Sequence, residues 1–161
     1  MFRQSVAICF TLLVAQSVPG SDARTGSLTI VKPWARATPP GATVGAVYLE
    51  IVNSGAVSDT LQSVETTVAR RAELHSMSTE GGVMRMRQLP AVTIPAHGQV
   101  RFNPEGKHVM LIDLLKPLQQ GGRVVLTLVF ARAGRLSVEA PIRGLGAMSD
   151  SDGGITDAHP N

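Results

Sequence analysis

From Ser27 onward, apolar and polar residues alternate in short runs broken by turn-forming residues. Alternation with a period of two marks half-buried strands. Such runs predict strands at Ser27–Lys32, Ala46–Val52, Thr60–Thr67, Ala69–Met77, Val83–Leu89, Val92–Ile94, Val100–Phe102, Val109–Leu115, Val124–Phe130 and Leu136–Ile142. The breaks carry turn chemistry: Pro39-Pro40-Gly41, Asn53-Ser54-Gly55, Ser78–Gly82, Pro95-Ala96-His97-Gly98, Asn103-Pro104-Glu105-Gly106 and Gln119–Gly122. Pro117 blunts the best helical candidate, Met110–Leu118, because proline lacks the N–H a helix interior needs. Many short strands at this spacing predict an all-β sandwich or barrel.

The same period of two gives the chain its candidate chemistry. His75 and Met77, Met84 and Met86, and His108 and Met110 are each two residues apart. On a strand, each pair shares one face. These pairs hold four of the six methionines and two of the four histidines. A hairpin with a four-residue loop at Thr79–Gly82 would place Met77 opposite Met84 and His75 opposite Met86, within reach of one ion. A slip of one residue would send the two sets to opposite faces. Imidazole with thioether favours Cu(I), whereas hard cations take oxygen and structural zinc usually takes thiolate. Against this stands the ordinary role of methionine as core filler. Arg85 and Arg87 alternate with Met84 and Met86 and should face away from the metal side, as a solvated strand face or a basic patch that steers docking.

The 161 residues suit one domain. The first 23 read as a secretory signal peptide. Arg3 gives a small positive start, Val6–Ala15 is apolar apart from Thr11, and Ser17, Gly20, Ser21 and Ala23 supply small residues for cleavage. The run is too short to span a bilayer, so stable membrane insertion is not expected after cleavage. Val6-Ala7-Ile8-Cys9 has a trace of a lipoprotein box, but no apolar run of length precedes it. Cys9 is the only cysteine. Once it leaves with the leader, disulfides, thiol catalysis and a His₂Cys blue-copper centre are excluded. The net charge of +3 comes without a basic run, so no nucleic-acid partner is expected. Residues 24–143 form the expected domain. Residues 144–161, with Ser149–Gly154 and a closing Asp-Ala-His-Pro-Asn, form an expected flexible tail.

The spacing of donors then becomes specific. Ten residues separate His75 from Met86, twenty-one separate Met86 from His108, and one separates His108 from Met110. This resembles the H(M)X10MX21HXM motif of the PCu(A)C family of periplasmic copper chaperones. The segments Trp34–Gly41, Ala46-Val47-Tyr48, Gly82–Arg87 and Ile94-Pro95-Ala96 are similar to that family too. The resemblance runs from about Leu28 to Ile142 and implies a cupredoxin-like Greek-key β-sandwich. It also implies Cu(I) binding by His75, Met86, His108 and Met110; Met77 and Met84 lie outside that four-residue motif and are read as auxiliary donors or pocket wall. It further implies location in the periplasm and delivery to the dinuclear copper site of cytochrome c oxidase, or to another copper chaperone. His97 departs from the family's small turn residue. It and the sparse tail (Met148, His159) are the candidates for a secondary Cu(II) site.

Neutral thioethers do not titrate, so only the histidines should make binding pH-dependent, with Cu(I) affinity expected to weaken below about 6.5, the free imidazole value. The alternatives are a copper sequestration or resistance protein with no dedicated target, and a metal-free secreted interaction module. Enzymatic activity is not expected. A thioether-rich site argues against a copper oxygenase, and no Ser-His-Asp order, carboxylate pair or phosphate loop is present.

Overall fold

A computed structural model describes residues 22–151. The expected leader, up to residue 21, and the end of the expected tail, 152–161, lie outside the described residues. Eleven strands follow one another: β1 (Ala23–Thr25), β2 (Leu28–Arg36), β3 (Val44–Asn53), β4 (Asp59–Thr66), β5 (Ala69–Glu80), β6 (Val83–Leu89), β7 (Val92–Ile94), β8 (Gly98–Phe102), β9 (Lys107–Leu114), β10 (Arg123–Phe130) and β11 (Gly134–Arg143). They form a single hydrogen-bonded path, β6-β5-β9-β8-β3-β2-β11-β10-β4-β7, with β1 added on β2 and β9 also paired to β3. Nearly all neighbours are antiparallel. The exceptions are β8 with β9 and β11 with β2, each joined by only one or two residue pairs.

That path folds over on itself. The half holding β2, β3, β5 and β9 turns Ile30, Val47, Ile51, Leu74, Val109 and Leu111 inward, and the half holding β4, β7, β10 and β11 answers with Leu61, Ile94, Leu126, Leu128 and Val138. These residues make one continuous core. Each fully buried Leu or Ile contributes about 1.5–3 kcal/mol relative to exposure. The architecture is all-β, as expected from the sequence. Asp59 ties the start of β4 to the turn after β10. Its carboxylate accepts the Thr60 N–H at 2.7 Å and the Arg132 and Ala133 N–H groups at 2.9 Å each.

Two local features differ from expectation. First, β2 continues through Pro33 to Arg36. One extra residue is absorbed as a bulge between Val31 and Trp34, where Lys32 takes a φ of 50°. The bulge spares the sheet the N–H that Pro33 lacks, and it sets Trp34 opposite Tyr48. Second, the hairpin register is corrected. The β5–β6 turn is the two-residue Gly81-Gly82, both at positive φ (59° and 79°), which matches the twist of a tight hairpin. Glu80 therefore pairs with Val83, Met77 with Met86, Thr79 with Met84, and His75 with Gln88. The four-residue loop would have paired Met77 with Met84 and His75 with Met86. The shift is by two residues, so every donor keeps its face.

Candidate metal centre

The donors lie on the outer face of the sheet, opposite the core. On β9, Val109 and Leu111 point inward, so His108 and Met110 point out. On β5, Leu74 points inward, so Glu73, His75 and Met77 point out. The register stacks them in rows. Met86 on β6 faces Met77 on β5. His75 faces His108 on β9. Met110 lies between Glu73 on β5 and Ala46 on β3. The strand carrying His108 and Met110 is thus the direct neighbour of the hairpin.

A pocket of about 310 Å³ opens here. Met77, Met86, His108 and Met110 line it, together with Ala46 and Tyr48 from β3. His75 stands beside His108, with ring centroids 5.8 Å apart. Exposure is graded across the site. The His108 side is buried (5% exposed), whereas Met86 on the edge strand is 48% exposed. Met84 is more exposed still, one row nearer the hairpin tip, and does not line the pocket. Arg85 and Arg87 lie on the opposite face, where both approach Glu80, at 3.6 and 3.4 Å.

The histidines are held by different neighbours. A carbonyl oxygen can only accept, so the 3.3 Å contact between His108 Nδ1 and the Gly106 carbonyl makes Nδ1 the protonated nitrogen and leaves the Nε2 lone pair free. Gly106 closes the tight Asn103–Gly106 turn, where a Cβ would come within 2.8 Å of Asn103 Oδ1. The same carbonyl also accepts the Met77 N–H at 3.0 Å. His75 instead brings Nε2 to 2.9 Å from Glu73 Oε2. Its Nδ1 is buried without a hydrogen-bond partner, one of two such side-chain atoms among the described residues. An orphaned buried polar atom costs about 1–3 kcal/mol, a deficit a metal ion would offset. Among the described residues, no three His, Cys, Asp or Glu gather into a ligand cluster. The side chains that line the pocket offer one imidazole and three thioethers. That donor set fits a soft, low-charge metal and fits zinc or calcium poorly.

Burial holds the His108 imidazole below its ordinary value, and the nearby His75 adds to that depression. The Gly106 contact opposes it without reversing it. The unfolded chain therefore binds a proton at His108 before the folded one does. We expect its contribution to make the metal-free fold less stable as pH falls below about 6.5, the unfolded imidazole value, and to be flat above it. Following the His108 ring protons by NMR against pH, alongside thermal melts, checks this. A midpoint at or above that of free histidine would refute it.

Beside the pocket, Trp34 and Tyr48 pack at 4.5 Å between centroids, and the Arg36 guanidinium lies over both rings, 5.9 and 5.6 Å away. Arg36 Nε donates to the Ala147 carbonyl at 3.0 Å, and Ala147 is buried against the two rings. The first part of the expected tail thus packs back onto the domain. Sequence reasoning gave Arg36, Tyr48 and Glu73 no role at the site. Glu73 was within reach of the period-two argument, since it shares a face with His75. Arg36 and Tyr48 come from β2 and β3, which only the sheet order brings near. His97 is exposed in a turn at φ 48°, its N–H donating to the Gly55 carbonyl, at the far end of β3 from Ala46. Met148 lies beside Arg36, with the sulfur 3.5 Å from a guanidinium nitrogen. His159 lies outside the described residues.

Known proteins share this fold. The copper-bound PCuAC domain from PmoF2 matches with a TM-score of 0.67 at 28% identity, covering 77% of this chain and 98% of that one. The solution structure of Cu(I)-DR1885 from Deinococcus radiodurans matches with a TM-score of 0.58 at 28% identity, over 81% and 82% of the two chains. A curated protein of Leifsonia xyli subsp. xyli, "Putative lipoprotein Lxx21020", is 25% identical over 141 residues, 87% of this chain and 82% of that protein. The family model described as "Putative lipoprotein LpqE-like" matches residues 28–142. With a match across most of its length, the chain belongs to the LpqE-like family, and its described domain has the architecture of the PCuAC domains.

Proposed function

We propose that this chain is an exported copper chaperone that binds one Cu(I) ion through His75, Met86, His108 and Met110, and that Met77 serves as an auxiliary donor or pocket wall. The observation that carries the reading is the convergence of the His108 imidazole and the Met77, Met86 and Met110 thioethers on one open pocket, with the His75 ring beside His108 and no thiolate or carboxylate cluster among the described residues. Such a set stabilises Cu(I) and leaves it accessible. The copper-bound state of the PmoF2 domain and the Cu(I) state of DR1885 support it. So do the lipoprotein names of the relatives, as far as export is concerned. No helix among the described residues is long and apolar enough to cross a membrane.

Copper here is cargo. The proposed recipient is the copper-site subunit of cytochrome c oxidase or another chaperone on that route. The ion sits near the edge strand, where a recipient's ligands can reach it before it leaves. Titration with Cu(I) against a chromophoric chelator is expected to give one tight equivalent. Trp34, the only tryptophan, should report loading by a fluorescence change, because its ring touches Tyr48 at the pocket wall. Mixing the loaded protein with the apo oxidase subunit should move the metal. Failure to compete with the chelator would refute copper binding. Binding without transfer would leave a sequestration protein.

A further inference from the structure

We infer that Glu73 is a positioning residue that fixes His75 as the Nε2-protonated tautomer, so that His75 meets the metal through Nδ1 while His108 meets it through Nε2. The inference rests on the copper-binding reading above and assigns the ligating atoms within it.

The argument begins with what each group can do. An ionised carboxylate only accepts, so at 2.9 Å the Glu73 oxygen requires a proton on His75 Nε2. The neutral ring then has its lone pair on Nδ1, which is the buried nitrogen without a partner. Both carboxylate oxygens of Glu73 are engaged. Oε2 takes His75, and Oε1 takes the Arg71 guanidinium at 3.1 Å, while Arg71 also reaches Asp113 at 3.7 Å. An acceptor gripped on both oxygens cannot easily rotate away. The His75 ring is therefore oriented from the side where Arg71 and Glu73 lie, as His108 is oriented from the Gly106 turn. Outer partners of this type set the tautomer and aim of a ligating imidazole, and their loss commonly weakens metal affinity by about 10- to 100-fold.

The direct test is the tautomer. Nitrogen-15 long-range correlation spectra of the metal-free protein in alkaline buffer should show His75 protonated at Nε2 and His108 protonated at Nδ1. A proton on His75 Nδ1 overturns the inference and needs no variant to be seen. Cu(I) competition should then show Glu73→Ala weakened by about 10- to 100-fold. Glu73→Gln, which keeps an acceptor oxygen, should recover most of that loss. Wild-type affinity in Glu73→Ala, or Glu73→Gln no better than Glu73→Ala, also overturns it. A protein that binds no Cu(I) at all defeats the copper reading itself, a result separate from the tautomer.

Discussion

Replacing His108 with alanine is expected to lower Cu(I) affinity by more than about a hundredfold, beyond the range that outer partners command. Met86→Ala should cost clearly less, and Met84→Ala almost nothing. The ranking follows from the setting of each donor. His108 is buried, its Nδ1 is committed to the Gly106 carbonyl, and the facing His75 is already a proposed ligand, so nothing nearby can replace its Nε2. Met86 is half exposed, and Met77 lies directly opposite it on the same face, able to offer a second thioether. Met84 pairs with Thr79 and is further out. The variants should keep the wild-type fold, since each side chain projects from the outer face. Chelator competition on the three variants checks the order. Equal losses at His108 and Met84, or the reverse order, would refute this assignment of the site.

The opposite face should behave in the opposite way. Leu111→Ala is expected to destabilise the protein by about 2–5 kcal/mol, through lost burial and the cavity left behind. For a domain of this size that lowers the melting temperature by about 10 °C. Leu111 is fully buried on β9, next to Met110, but it belongs to the core and does not line the pocket. Cu(I) affinity measured well below the melting transition should stay within a few-fold of wild type. Thermal melts with a parallel chelator titration make the comparison. A large loss of affinity in the folded variant would mean that the sheet does not insulate the site from the core.

This separation of faces was readable from the chain. Alternation on Val83–Leu89 and Val124–Phe130 predicts strands that the structure reproduces to within a residue, and the same alternation puts His75 with Met77 and His108 with Met110. What alternation cannot supply is which strands become neighbours. The contact of His75 with His108 depends on β9 pairing with β5 across more than thirty residues of chain, a choice made by the whole core. Register was half legible. The parity of the hairpin survives any shift by two, so the face of each donor was fixed, but the partner of Met77 depended on whether Gly81-Gly82 closes the turn alone. Two adjacent glycines free to take positive φ decide that, and the apolar pattern does not contain the information. The β2 bulge was hidden for a related reason. Pro33 reads as a break, while a left-handed Lys32 lets the strand pass it. β1 was missed because Ala23–Thr25 sits where the leader was expected to end.

The position of β6 at the end of the strand path gives the proposed site a direction. His75, His108 and Met110 stand on β5 and β9, each flanked by hydrogen-bonded neighbours on both sides, whereas β6 pairs only with β5. Three of the four proposed donors therefore stand on strands paired on both sides, and Met86 on an edge strand. In the copper-binding reading, an incoming ligand would approach from the β6 side, where Met86 is the most exposed of the four proposed donors. The edge strand would thus give the proposed site a preferred side for release.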